Sequence, residues 1–338
     1  MFGLVTLLLL APTDSAPTSN FRVAVDSATR EVVLEYRVSV SSTSHHAGHG
    51  DAQAHHDVQA HRGSHVQRLV RFIWPVTGWG SGASVELESV VGIPLPRRAL
   101  HHINLLNLQR RQLVHPGVER LWAAGQETAP VRLPATIGVP LAAGTQLALV
   151  VAFDPRELPD TVLVRVRVRW IPETMTPRPV EVLPVQLDVN FRPGETAAYD
   201  LPAGPSRRSF DFIVPVSGRV LGAGGHLHDY GIGVRLEEVE TGRTVIELRP
   251  MRDSVGRVRG MPQQLYGVGG RGRPLHAGRT YRITAEYDNP SGQVIPLGAM
   301  GEIGMIFAPD RAEDWPVLDL SEPEIAYDLA ALAKYEDR

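Results

Sequence analysis

One seven-residue segment recurs in this chain with two changes, and a second similar pair of segments follows in the same order. Phe72-Ile-Trp-Pro-Val-Thr-Gly78 matches Phe212-Ile-Val-Pro-Val-Ser-Gly218, and Leu141-Ala-Ala-Gly-Thr to Phe153-Asp-Pro155 matches Leu275-His-Ala-Gly-Arg to Tyr287-Asp-Asn-Pro290. The offsets are 140 and 134 residues. Two ordered matches at nearly one spacing indicate a duplicated structural unit. A chain of 338 residues is long enough to give each copy its own core.

The unit is made of strands. In Thr161–Trp170, Val162, Val164, Val166 and Val168 share one face and Arg165, Arg167 and Arg169 the other, the pattern of a half-buried antiparallel strand. Similar alternation runs through Arg30–Val40, Gln67–Trp74, Thr145–Phe153, Val180–Phe191, Gly233–Val239 and Arg279–Tyr287. With 32 Gly and 27 Pro and no βαβ alternation, long helical bundles and parallel sheets are excluded. The expectation is an all-β fold of two tandem antiparallel, jelly-roll-like β-sandwiches. A short helix is expected in the tail, where Ser321 precedes early acids and helically spaced apolar residues. The expected divisions are an N-terminal sandwich over residues 20–172, a C-terminal sandwich over 178–312 and a tail over 313–338. A Pro-rich linker near Ile171–Pro179 joins the sandwiches.

Residues 1–19 carry an apolar run from Phe2 to Ala11 of signal-peptide length, so export to the periplasm or the medium is expected, with a first buried strand as the alternative. No segment has the length of unbroken apolar sequence that a membrane span needs. A formal net charge of −3 gives no basis for nucleic-acid binding. Absence of cysteine excludes disulfides, thiolate metal sites and thiol nucleophiles. One lysine, Lys334, among 34 basic residues points to a GC-rich, bacterial coding sequence. Gly267-Val-Gly-Gly-Arg-Gly272 has the spacing of a dinucleotide loop, but Arg273-Pro274 and a β-run follow it where that loop needs a helix.

The chemistry lies with the histidines. Residues 41–66 hold seven of the thirteen among Gly, Ala, Ser and Asp, a composition for a loop that either captures metal weakly or is only solvated. Outside it, His226-Leu-His228 follows a Gly-rich stretch, and residues i and i+2 of a strand face one side, so two imidazoles can meet one ion or simply be exposed. The first copy carries Glu86-Leu-Glu88 at the corresponding place. His101-His102 can share an ion only at a bulge or strand end, because strand neighbours point oppositely. Met300 is ordinary core by spacing, although a thioether ligand selects copper over zinc.

These residues resemble the copper type II, ascorbate-dependent monooxygenases, the family of peptidylglycine α-hydroxylating and dopamine β-hydroxylating enzymes, over roughly Gln67 to Pro309. His101-His102, Trp122-Ala123, Leu133-Pro134 to Gly138, His226-Leu-His228, and Met300 nine residues before Pro309 match the family's motifs in order. The resemblance implies two sandwiches with a copper on each. His226, His228 and Met300 would hold the catalytic ion and His101 and His102 the electron-supplying one. It also implies dioxygen, a small substrate hydroxylated at an activated C–H bond, and ascorbate or another reductant. The family's third histidine on the first copper falls at Ala152, leaving His115 or the histidine-rich loop as substitutes. The family's peptide-anchoring Arg and Tyr fall at Gly224 and Gly304. The alternative function is a non-catalytic copper-binding or buffering protein of the cell envelope on the same scaffold, with one copper or two.

Overall fold

A computed structural model describes residues 20–40, 66–154, 158–267 and 272–336. The apolar N-terminal run and the histidine-rich segment up to residue 65 lie outside the described residues. In the first half the strands are β1 Phe21–Asp26, β2 Glu31–Ser39, β3 Val66–Ile73, β4 Gly78–Ser89, β5 Leu100–Arg111 and β6 Val118–Gly125. They continue as β7 Val131–Arg132, β8 Ile137–Leu141, β9 Gln146–Phe153, β10 Thr161–Pro172 and β11 Val180–Glu181. The second half has β12 Leu183–Asp188, β13 Tyr199–Leu201, β14 Gly204–Ile213, β15 Gly218–Leu227, β16 Gly231–Glu238, β17 Arg243–Leu248 and β18 Met251–Arg252. It ends with β19 Val258–Gly260, β20 Gln264–Leu265, β21 Arg273–Leu275, β22 Thr280–Asn289, β23 Ile295–Ala299 and β24 Gly301–Pro309. The single α-helix among the described residues is α1, Pro323–Ala333, and no helix is long and apolar enough to cross a membrane.

The fold is all-β and its sheets are antiparallel, apart from the short β8–β11 pairing. In the first half, β1-β2-β10-β4-β8 faces β3-β9-β5-β6; in the second, β12-β24-β15-β20 faces β14-β22-β16-β17. Strand by strand, β3-β9-β5-β6 has the same plan as β14-β22-β16-β17, which is how the repeated sequence is expressed. Each pair of sheets closes over its own core. Val162, Val164, Val166 and Val168 of β10 are at most 4% exposed, so each adds about 1.5–3 kcal/mol by burial, while Arg165 reaches Glu35 and Glu88 on the outer face. The second core is built on Leu187, Leu236, Ile283, Ile303 and Phe307, all fully buried.

Three features lock the halves together. The β5–β6 connection sends Leu113 into the second core. Ile137 and Val139 of β8 pack against Val182 and Leu221. Helix α1 returns to the first half, where Leu329 and Leu332 cover Leu69, Leu106, Val118 and Val150 on the outer face of β3-β9-β5-β6. The Tyr335 carbonyl accepts the Leu69 N–H at 2.7 Å. The helix starts later than its sequence suggests. Glu322 is the N-cap and Pro323 begins the first turn, while the Ser321 hydroxyl donates to Asp319 at 2.7 Å and so does not cap the helix.

Candidate functional site

Between the locked halves lies a cleft of 560 Å³, lined from the first half by His101, His102, Asn104, Trp122 and Glu127 and from the second by Asp188, Gly224, His226, Met300 and Glu302. The register explains how adjacent histidines reach one cleft. Leu100 pairs with Phe153 and His102 with Ala152, so His101 is the extra residue of a β-bulge. The bulge breaks the alternation that would send the two side chains to opposite faces. Their ring centroids are 5.0 Å apart.

On the other side, β15 alternates as the sequence requires. Ala223 and Leu227 enter the second core while His226 and His228 point away from it, with ring centroids 5.3 Å apart and planes nearly perpendicular. The Tyr287 side chain fixes this end of the sheet. Its oxygen accepts N–H groups from His228 at 3.1 Å and Met300 at 3.0 Å, and its O–H donates to the Met300 carbonyl. Burial pushes the Tyr287 phenol upward, so it stays a neutral donor. Leu227 pairs with Gly301, so His228 and Met300 stand opposite each other just beyond the two strands.

The two histidine pairs meet across the cleft: the His101 and His228 centroids are 6.2 Å apart. Two imidazoles bound to one tetrahedral ion, with metal–nitrogen distances of ~2.0–2.1 Å, have centroids roughly 5 Å apart. Each pair has the spacing of a two-histidine chelate. No three His, Asp or Glu side chains among the described residues already surround a common point. The donor set of imidazoles and a thioether fits copper in chemistry.

Sequence reasoning missed Glu127. Its Oε1 lies 2.7 Å from His226 Nδ1, and its carboxylate is only 4% exposed. Burial opposes charge on both groups. The Glu127 carboxylate nevertheless raises His226 to about 9, and the His226 charge brings Glu127 below its ordinary value. With Nδ1 occupied, Nε2 is the ring nitrogen left to a metal, the arrangement in which a carboxylate orients a ligating histidine. Asn104 stands likewise beside His102, with its amide nitrogen 3.3 Å from Nδ1. Nothing in the sequence around Glu127 marks it, because its partner lies 99 residues away.

A second acidic feature also emerges from the register. Asp188, Glu302 and His226 lie in one row across β12, β24 and β15. Burial, then the neighbouring Glu302, pushes the Asp188 carboxyl well above the usual carboxylate range.

The candidate third ligand, His115, lies elsewhere. It is 2% exposed on the β5–β6 connection, stacked on Phe191 at 4.3 Å, and its Nε2 accepts the Asp188 N–H at 3.1 Å. Burial and then Arg120 push it down to about 3. It is a neutral structural group whose acceptor is already used. Ala152, where the family resemblance places that ligand, is the fully buried cross-strand partner of both His102 and Gln67. In the first half, Glu86 and Glu88 lie on the outer face of β4, where Glu88 meets Arg165 at 2.5 Å and Glu86 meets Arg167 at 3.7 Å.

No family model matches this sequence, and no curated protein does. Among solved structures, a peptide-N(4)-(N-acetyl-β-D-glucosaminyl)asparagine amidase aligns over 75% of this chain and 91% of its own, with 8% identity and a TM-score of 0.39. The VP2 subviral particle of infectious bursal disease virus aligns over 90% and 76%, with 12% identity and a TM-score of 0.25. A tandem CBM22 domain of Xyn10C from Paenibacillus barcinonensis aligns over 75% and 78%, with 10% identity and a TM-score of 0.15.

Proposed function

We propose that the cleft is a copper centre and that the protein is a monooxygenase-like enzyme, hydroxylating an activated C–H bond of a small substrate with dioxygen and a reductant such as ascorbate. The observation that carries this reading is the meeting of four imidazoles from opposite halves of the chain, with the His101 and His228 rings 6.2 Å apart. His226, His228 and Met300 would hold copper on one wall and His101 and His102 on the other. When bound, copper supplies the one-electron chemistry that couples dioxygen to a C–H bond.

The chain's own residues do the rest. Glu127 orients His226 through Nδ1 and stabilises its cationic form in the metal-free chain, so metal entry at Nε2 displaces a proton. Tyr287 fixes the backbone of His228 and Met300 together, which sets the approach of the thioether. The Asp188 carboxyl, pushed upward by burial and by Glu302, lies in the row that contains His226, and hydroxylation consumes protons as well as electrons.

The test is a copper(I) titration of the metal-free chain under ascorbate, followed by oxygen uptake with a panel of C–H substrates. The expected result is at least one copper per chain, lost in a His226→Ala/His228→Ala double variant, and ascorbate-dependent uptake. Tight binding with no uptake over the reductant alone would leave the copper-holding function in place of the enzyme. Absence of binding would end both.

A further inference from the structure

Behind the histidines, the cleft-facing sheet of the second half continues in register. After Asp188–Glu302–His226 come Gln186–Gly304–Gly224 and then Pro184–Ile306–Gly222, all turned away from the second core. In the middle row only Gln186 has a side chain. Packing does not require those glycines. A Cβ on Gly304 would meet nothing within 4 Å, and one on Gly224 would meet only Gln263 Cγ at 3.8 Å. By contrast, a Cβ on Gly301 of the same strand would fall 2.4 Å from the Ala285 Cβ. Neither Gly224 nor Gly304 is among the glycines with positive φ, so backbone conformation does not demand glycine either. The bare patch opens on the cleft.

Gln186 gives the second, independent observation. It is 7% exposed, and its Oε1 accepts from Arg120 Nη1 at 2.6 Å. A guanidinium only donates, so this contact fixes which end of the amide is oxygen. The other end, Nε2, is buried without a hydrogen-bond partner. An N–H left in that state is costly, and a small turn of the amide towards an acceptor in the cleft would relieve the cost. An uncharged acceptor suits the place, because groups of both signs surround it: Arg120 holds Gln186, and Glu302 and His226 share the next row, where side chains two residues along a strand are only ~7 Å away.

We propose that Gln186, Gly224 and Gly304 form the subsite for an uncharged planar carbonyl group, an amide or ester of the cleft's ligand, whose oxygen accepts from Gln186 Nε2 while its flat face lies on the two glycines. The proposal rests on the cleft being a substrate site and adds the substrate's chemical class. Arg120 is a positioning residue here, since it orients the amide that makes the contact.

The probe is 7-methoxycoumarin, a neutral planar lactone, compared with 2-methoxynaphthalene, which has similar shape and no carbonyl. Binding is followed by fluorescence on the full metal-free chain. The wild type is expected to bind the coumarin at least tenfold more tightly. Gln186→Glu keeps an acceptor for Arg120 but offers no N–H, and is expected to erase that preference. Gly304→Leu is expected to weaken both probes at least tenfold, with Gly304→Ala as the milder variant should the leucine fail to fold. Equal binding of the two probes by the wild type, no binding of either, or a preference that survives Gln186→Glu would overturn the proposal. Copper titration of the same proteins separates the two readings. A missing probe preference with copper binding intact overturns this subsite alone, whereas a probe preference with no copper binding overturns the copper reading alone.

Discussion

His115→Phe should make the chain less stable at neutral pH and more stable in acid. In the folded chain His115 is pushed down to about 3, whereas an unfolded histidine titrates near 6.5. Above 6.5 both states are neutral at this residue. As pH falls from 6.5 towards 3 the unfolded chain takes up a proton that the folded chain refuses, so stability is lost progressively. At ~1.4 kcal/mol per unit the loss reaches about 5 kcal/mol near pH 3 as an upper value. Phenylalanine keeps the stack on Phe191 but removes the acceptor of the Asp188 N–H, which costs about 1–3 kcal/mol at every pH. The two stability curves should therefore cross between about pH 4 and pH 6. Asp188 works in the opposite sense. Its carboxyl, raised to about 8, favours the folded chain in acid and loses that contribution as pH rises through 8. The carboxyl is present in both proteins, so comparing them cancels its effect. Urea unfolding of the metal-free proteins, read by tryptophan fluorescence from pH 7.5 to 4, measures the difference. A constant gap over that range would refute the claim that His115 is held neutral by its burial.

Glu127→Ala should weaken copper binding by roughly 10–100-fold in a chelator competition, because His226 loses the carboxylate that orients it. Met300→Leu should lower copper(I) affinity more than copper(II) affinity and leave the melting temperature nearly unchanged, since the swap conserves volume. Gly301→Ala should destabilise by about 1–3 kcal/mol in urea unfolding, because its Cβ would collide with Ala285 between the two sheets of the second sandwich.

What could be read from the chain, and what could not, follows from the range of each interaction. Period-two runs such as Val162–Val168 depend on neighbours two residues apart, so strands and faces were legible, and the histidines at 226 and 228 were assigned to one face correctly. The His101-His102 pair was legible only as a condition, that a bulge be present, and the bulge is set by the pairing of Leu100 with Phe153 and His102 with Ala152. Glu127 and the Gln186–Gly304–Gly224 row were not legible. Each is assembled from segments distant in sequence, and local periodicity carries no trace of which strand lies beside which. His115 reads as an available ligand in the sequence, because a lone histidine in a connection carries no mark of burial. Its connection enters the second core with Leu113, and that decides its role.

The duplication leads to unlike chemistry because the two halves do not stack symmetrically. In the first half it is β6 and β8 that lie against β12 of the second, while Glu86 and Glu88 of β4 pair with arginines of their own sheet. The same i, i+2 spacing therefore meets two environments. On β4, Glu86 and Glu88 join Arg165 and Arg167 in a ladder on the outer face of their sheet, where ion pairs add little stability. On β15, His226 and His228 are turned towards the other half and meet Glu127 and His101. Exchanging the motifs alone would not exchange the sites. Histidines substituted for Glu86 and Glu88 would face Arg165 and Arg167, with no carboxylate in the position that Glu127 takes and no second histidine pair opposite. A Glu86→His/Glu88→His chain should bind no additional copper over the wild type in the same titration. An extra equivalent held as tightly as the first would show that spacing alone makes the site, and the argument from stacking would fail.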